Sequence, residues 1–438
     1  MAVTSGDWVL SMTADLPPHD TAPRKPSFFG DLGPGLITGA ADDDPGGIAT
    51  YSQAGAVFGL NMLWTAVATF PLMAAIQSIS ARIGRVTGRG LASNFKRSFP
   101  PWVLHLLVGL LFVTNTLNIA ADIAAMGEAA RLVFGFGEHI FALGFGVFSL
   151  LLQVFMPYSR YVRVLKFLTL SLFAYVAVVM TVHVPWGEVA VRTIMPHLAL
   201  NAATLTMVVA VFGTTISPYM FFWQSAQEVE DLKADPRAKA LRDHPKDAKA
   251  QLNRIRFDTY LGMGFSNLIS FAIILSAAVV LHAKGITEIQ TSAQAALALR
   301  PLAGEGAFLL FSLGIIGTGL LAVPVLAGSA AYAIAEAQGW SEGLNRKAME
   351  ARGFYGVIAA AMVIGMALGF SPIDPIKALY WSAVLNGVIS VPIMAAMMIV
   401  VTSKKRMGDF TATPSQNLLG WAATVIMGCA VAAMFILL

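Results

Sequence analysis

Three consecutive aspartates followed by a proline and two glycines, Asp42-Asp43-Asp44-Pro45-Gly46-Gly47, lie inside an otherwise apolar run from Leu32 to Phe58. At about 1.5 Å per residue that run can cross a bilayer as a helix, so its carboxylates are carried to membrane depth. Charge at that depth is costly and marks ion or substrate paths. A proline and two glycines cannot continue a regular helix. Opened backbone within a bilayer survives only where it lines a cavity or is buried in protein. The expectation is a helix that breaks at mid-membrane and frees carbonyl oxygens beside Asp44, a combination that suits a hard cation. The competing reading, an idle solvated loop, requires Gly33–Ala41 and Ile48–Phe58 to span separately, and each is too short.

The rest of the chain repeats the membrane signal. With 56% hydrophobic and 12% charged residues and a mean hydropathy of +0.68 over 438 residues, it reads as an all-α polytopic membrane protein rather than a soluble globule. Apolar runs of suitable length fall at about 32–58, 62–81, 102–134, 139–156, 161–182, 203–231, 257–282, 306–336, 354–370, 376–401 and 416–438, predicting eleven spans. Of the 29 Lys and Arg, all but Arg131, Arg192, Lys284, Arg300 and Lys377 fall on one side of that arrangement. The positive-inside rule then places the N-terminus in the cytoplasm and the C-terminus outside, with a bacterial inner membrane as the expected location. The basic excess is small and dispersed, which argues against nucleic acid. One cysteine, Cys429, excludes an internal disulfide or a thiolate cluster. The first 28 residues lack an apolar core and read as a cytoplasmic tail, not a cleaved signal.

A second interruption falls in the sixth run, where Gly213-Thr214-Thr215-Ile216-Ser217-Pro218 separates two apolar stretches. Interrupted spans at matching places in successive five-helix blocks, entering from opposite sides, are the mark of an inverted-repeat transporter whose site lies between the breaks. The organisation expected is a tail at 1–28, a ten-helix core at 29–402 with repeats at about 32–182 and 203–401, and a loop and eleventh helix at 403–438. Asp231 to Arg256 alternates acids and bases and predicts a solvated cytoplasmic helix. A short amphipathic helix is expected around Ala293–Leu299.

These residues resemble the NRAMP divalent-metal transporters. Asp44-Pro45-Gly46, with Ala49-Thr50 and Gln53-Ala54-Gly55 beyond, is similar to the family's Asp-Pro-Gly-Asn motif, and Gly213 to Pro218 is similar to its broken sixth helix. The resemblance implies a LeuT-type fold, alternating access and metal import, with no resident cofactor and no obligate protein partner. Two ligand positions depart from the family pattern. The family asparagine is replaced by Gly47, and the sixth-helix methionine by Ser217. A thioether favours softer transition metals, whereas hydroxyl, carbonyl and carboxylate oxygens suit Mg²⁺, which keeps several waters and touches one or two carboxylates. The chain therefore looks like the NRAMP-related magnesium transporters, with Asp44, Gly47, Thr214 and Ser217 at the metal and Mn²⁺ still able to pass.

Supporting positions follow from the same resemblance. Asp122 matches an acidic residue on the family's proton path, but its usual glutamate companion is Ala125, and Tyr219 and Gln224 stand where histidines are usual, so transport without proton coupling is expected. Gln53 and Asn386 could supply amide oxygens or water-mediated contacts, or else interhelical hydrogen bonds, and Asp43 is a supporting position nearer the inner mouth. Glu228, Glu230 and Asp231 fit either an acidic exit or a solvated helix end. Met195-Pro196-His197 copies a family triplet upstream of the break and reads as chance. The alternatives are an ordinary proton-coupled Mn²⁺ or Fe²⁺ importer, a sodium-coupled organic solute carrier, which three acids beside the break disfavour, and a membrane aspartyl protease, for which a facing aspartate pair in the right context is missing.

Overall fold

The computed structural model describes residues 38–39, 41–156, 169–234, 238–370 and 372–437. The expected tail at 1–28, and residues 161–168 of the fifth run, lie outside them. Among the described residues every regular element is helical.

The first run ends in helix α1, Pro45–Phe58. Helix α2, Leu63–Thr87, follows a 3₁₀ turn at Gly59–Met62. Together they form an apolar stretch of 43 residues, about 64 Å as one straight helix and twice a bilayer core. The division comes at Gly59, whose φ of 57° is a left-handed conformation that costs glycine little. After α3, Leu91–Ser98, come α4, Pro101–Phe134, and α5, Glu138–Phe155. The described end of the fifth run is α6, Phe173–Thr181, and a sharp bend of 116° leads into α7, Trp186–Ile194. The sequence reading did not foresee α7. In α7 Val189 is buried against the bundle, whereas Trp186, Val191 and Ile194 are exposed.

The sixth run is α8, Ala202–Thr215, and α9, Pro218–Ala234. Helix α10, Ala248–Val280, is followed by the short α11, Ser292–Ala296, and a 3₁₀ turn to Leu299, close to the amphipathic helix expected there. The remaining long helices are α12, Ala307–Gln338, α13, Arg352–Gly369, α14, Pro375–Thr402, and α15, Pro414–Leu437. All eleven expected runs thus have a helical counterpart in whole or in part. Apolar side chains such as Ile140, Phe155, Met180, Leu200 and Ile436 are mostly exposed. In water such patches are a liability, but facing lipid they are not, and with the long apolar helices they make this an integral membrane protein.

The expected solvated helix at 231–256 is a correction. Helix α9 carries the first residues to Ala234, a 3₁₀ turn spans Pro245–Asp247, and α10 starts at Ala248. Between them Leu241 is buried, and the Leu241 and Arg242 amides donate to the Arg85 and Val86 carbonyls at the end of α2. Alternating charge had suggested a free face; a single leucine and two backbone bonds pin the segment instead.

Glycines set the closest helix contacts. A Cβ on Gly55 would lie 2.2 Å from the Ile274 carbonyl oxygen of α10, and one on Gly84 of α2 would lie 2.4 Å from that of Ser225 on α9. Likewise Gly213 of α8 meets the Ala383 carbonyl of α14, at 2.1 Å. Without a hydrophobic force between helices in lipid, such close backbone packing is a main source of association. Each broken run is therefore clamped, the first on α10 and the sixth on α2 and α14, which holds the two breaks in place.

Candidate functional site

The first break is built by Asp44. Its backbone is extended (φ −71°, ψ 172°), and Pro45, with no amide hydrogen to lose, opens α1. Asp44 Oδ1 accepts the Gly47 amide at 2.6 Å, so the carboxylate caps the helix and meets the positive end of its dipole. The Gly47 motif position thus serves through its backbone. A side chain there would press on Tyr51 Cε2 at 3.2 Å and Thr214 Oγ1 at 3.4 Å, so Gly47 faces the second break directly.

That second break lies between Thr215 and Pro218. Ile216 leaves the helical region (φ −111°, ψ 56°), and Pro218 restarts the helix as α9. Ser217 Oγ sits 2.8 Å from both the Gly213 and Thr214 carbonyl oxygens, to which its hydrogen is shared. It therefore satisfies the carbonyls that the end of α8 would otherwise leave open, while its own lone pairs remain available. Thr214 and Ser217 are 3% and 1% exposed.

Tyr219 joins the two breaks. Its hydroxyl donates to Asp44 Oδ2 at 3.2 Å and lies 3.3 Å from the Ala41 carbonyl oxygen. Gln224, one turn and a half farther along α9, accepts from Thr38 Oγ1 at 2.5 Å, tying the helical residues before the first break to the same helix. Asp44, Gly47, Thr214, Ser217 and Tyr219, named from sequence, are thus gathered at the two breaks, whereas Gln224 is engaged farther along α9 with Thr38.

Other candidates are engaged elsewhere. Gln53 Oε1 accepts the Ile289 amide at 3.0 Å and so fastens the α10–α11 connection; nine residues past Asp44, it is about 13 Å farther along α1. Asn386 Oδ1 accepts Asn118 Nδ2 at 3.1 Å, an interhelical bond between α14 and α4. Asp122 is 1% exposed on α4, with no hydrogen-bond partner at Oδ2. Asp43 turns toward Ser266 of α10, 3.2 Å away. The Met195-Pro196-His197 triplet lies away from the breaks: His197 pairs with Arg192, and its backbone amide donates to Asn61 Oδ1, just past the end of α1 far from Asp44. Nearby, a cavity of about 310 Å³ lined by Phe58, Asn61, His183, Glu188, Arg192 and His282 is equally remote from the breaks.

At the end of α9 Glu228 is fully buried and pairs with Arg254 at 2.6 Å, so it is no solvated helix end. Lys233 reaches Glu230 at 3.9 Å and Glu342 at 3.4 Å. Among the described residues no three acidic, histidine or cysteine side chains gather within reach of one ion. The break offers one or two carboxyl groups and neutral oxygens, the kind of ligand set that suits a partly hydrated hard ion.

The sequence and the fold each have relatives. A divalent metal cation transporter, MntH, of Klebsiella pneumoniae subsp. pneumoniae is 26% identical over 404 residues, 90% of this chain and 91% of that protein. A namesake from Acidiphilium cryptum is 28% identical over 310 residues, 68% and 66% of the two chains. The manganese transporter of Eremococcus coleocola, solved with an aromatic bis-isothiourea compound, superposes with a TM-score of 0.70 at 16% identity, covering 94% of this chain and 88% of that one. Mhp1, a nucleobase-cation-symport-1 family transporter, gives 0.55 at 17% identity over 93% and 92%. The fold is accordingly the LeuT type. The family model described as natural resistance-associated macrophage protein-like matches residues 35–437, and with its two proline-headed breaks brought face to face the chain belongs to the Nramp family, a family of transporters rather than enzymes.

Proposed function

We propose that this chain imports Mg²⁺, with Mn²⁺ also carried, by alternating access across a bacterial inner membrane, and that it does so without moving protons. Asp44 is the charged ligand, held in place by the Gly47 amide; Ser217 and the Thr214 oxygens supply neutral donors, and retained water fills the remaining positions. One observation carries the reading: the two breaks converge on Asp44 with a glycine and a serine where the family pattern has an amide and a thioether. No sulfur is offered, and no amide oxygen stands at 47, so fewer protein ligands compete with a hydration shell that Mg²⁺ sheds reluctantly. Against proton coupling stand Tyr219 and Gln224, of which neither exchanges protons near neutral pH.

The second reading, a proton-coupled manganese importer, is favoured by the names of the relatives. Flux into proteoliposomes separates the two. Mg²⁺ uptake, competed by Mn²⁺ and indifferent to an imposed pH gradient, is expected. Metal-dependent acidification of the lumen, seen with a pH-sensitive dye, would establish the second reading in its place.

A further inference from the structure

Asp42 and Asp43 are not used by the site at Asp44, and their surroundings are those of a second site. Both are buried, at 1% and 4% exposure. While Asp44 turns toward Tyr219 on α9, these two turn toward α10. Ser266 Oγ donates to Asp42 Oδ2 at 2.5 Å and lies 3.2 Å from Asp43 Oδ1. The gap that holds them is rigid, because helix one and α10 touch backbone to backbone on either side of it. A Cβ on Gly39 would lie 2.3 Å from the Gly262 carbonyl oxygen, one turn before Ser266, and Gly55 meets Ile274 two turns after.

Two further observations point to a ligand. Asp42 Oδ1 is buried with no hydrogen-bond partner, a costly condition for a carboxyl oxygen, and the Tyr51 hydroxyl is buried beside Ser270, one turn past Ser266 on α10. The ring of Tyr51 and the backbone of Asp42 converge on the same side of Gly47, at 3.2 and 3.5 Å from its Cβ position, which sets the phenol beside the acids. Among the described residues no ion pair reaches Asp42 or Asp43. Two carboxyl groups, a serine hydroxyl and a phenol are an all-oxygen set.

We infer that Asp42, Asp43, Ser266 and Tyr51 form a second cation position, distinct from Asp44, that takes a hard divalent ion with part of its water. The inference rests on the reading that the chain carries divalent cations. An ion leaving Asp44 toward the N-terminal side of the break meets this position next, so it serves as a resting place on the path.

Counting Mn²⁺ bound to the purified full-length protein, by loss of the free-ion EPR signal, tests both sites separately. Wild type should hold two Mn²⁺, Asp44→Ala one, and Asp44→Ala with Asp42→Asn none. Ser266→Ala in the Asp44→Ala background should weaken the remaining site about tenfold. Mg²⁺ should displace the ion and equal Na⁺ should not. If Asp44→Ala elutes aggregated, Asp42→Asn alone decides, by lowering the count from two to one. A count of one in wild type that falls to none in folded Asp44→Ala overturns the second position and leaves the first. A single ion that survives Asp44→Ala and is lost with Asp42→Asn supports the second position and removes the first. Displacement by equal Na⁺ overturns the divalent assignment.

Discussion

The two helix breaks share a backbone design and differ in where they keep charge. Each resumes at a proline, Pro45 or Pro218, and each broken run is clamped by a glycine against a helix of the other repeat, Gly55 on α10 and Gly84 of α2 on α9. At the first break, however, three carboxylates stand at the break itself. At the second the break is neutral, a serine closing the helix end, and charge is displaced to the end of α9, where Glu228, Glu230 and Lys233 find partners. Under the proposed function, one half supplies the attraction for a cation and the other supplies neutral oxygens that shape it. Two charged breaks would bind a divalent ion too tightly to release it, since conduction needs binding weak enough to leave.

The largest expected effect comes from removing the charge at the first break. Asp44→Ala should reduce uptake of every divalent ion to background, because the remaining ligands at that site are neutral and cannot offset a double charge. It also removes the cap of α1, a loss of about 1 kcal/mol that the packed fold can absorb. Mg²⁺ uptake close to wild type in a monodisperse Asp44→Ala sample would show that the charged break is not the site.

A smaller effect follows from making the breaks resemble the usual family pair. Gly47→Asn with Ser217→Met returns an amide oxygen and a sulfur and reduces the space for water. The Mn²⁺ to Mg²⁺ uptake ratio should rise by about one order of magnitude, the worth of ~1.4 kcal/mol, with Cd²⁺ gaining more. The structure adds a detail. Ser217→Met frees the Gly213 and Thr214 carbonyls from their hydroxyl, whereas Gly47→Asn must push Tyr51 aside from 3.2 Å. The Cd²⁺ gain should therefore follow Ser217→Met alone, and the Mg²⁺ loss should follow Gly47→Asn. An unchanged Mg²⁺ preference in competition flux would place selectivity elsewhere.

What could be read in the sequence was what local chemistry dictates. Proline and glycine in an apolar run announce a break, and both breaks fall where they were expected. The family resemblance also picked out Tyr219 and Gln224. What it could not give was their partners, because Tyr219 reaches Asp44 across 175 residues and Thr38 reaches Gln224 across 186. Ser266 was invisible for the same reason, being one hydroxyl among many in an apolar helix until Asp42 and Asp43 are set beside it. For Gln53 both readings stood open in the sequence, and the structure gives it a hydrogen bond from the Ile289 amide. The Asp231–Arg256 segment misled because alternating charge says nothing of the buried Leu241 between the two helices.

The clamps give a test of intermediate size. Gly55→Ala and Gly84→Ala each drive a methyl group into a backbone carbonyl, at 2.2 and 2.4 Å, and backbone cannot step aside as a side chain can. Each should destabilise by about 1–3 kcal/mol, the usual cost of overpacking. If the clamps are equivalent, thermal unfolding in detergent should fall by similar amounts for the two variants. A fall confined to Gly55→Ala would show that only the charged break needs to be held rigid.

The smallest effect concerns the charge displaced to the end of α9. Glu342, in the connection between α12 and α13, is pushed above the usual glutamate range chiefly by burial, with Lys233 at 3.4 Å opposing the shift. A folded-state carboxyl that holds its proton longer than the unfolded chain makes the native state the better proton binder. Its stabilising contribution is therefore complete below the ordinary glutamate pKa and is lost as pH rises through the raised value. Glu342→Gln removes that group, so the variant should lose less stability than wild type as pH rises from about 4.5 toward neutrality. With Lys233 nearly half exposed, the difference should stay under about 1 kcal/mol, or roughly a degree or two in Tm. Parallel Tm profiles for the two proteins across that range would show that Lys233 fully offsets the burial, so that the charge moved away from the second break carries no net cost. Ion uptake should be unchanged in Glu342→Gln at any pH in the range, because nothing in its surroundings connects it to Asp44.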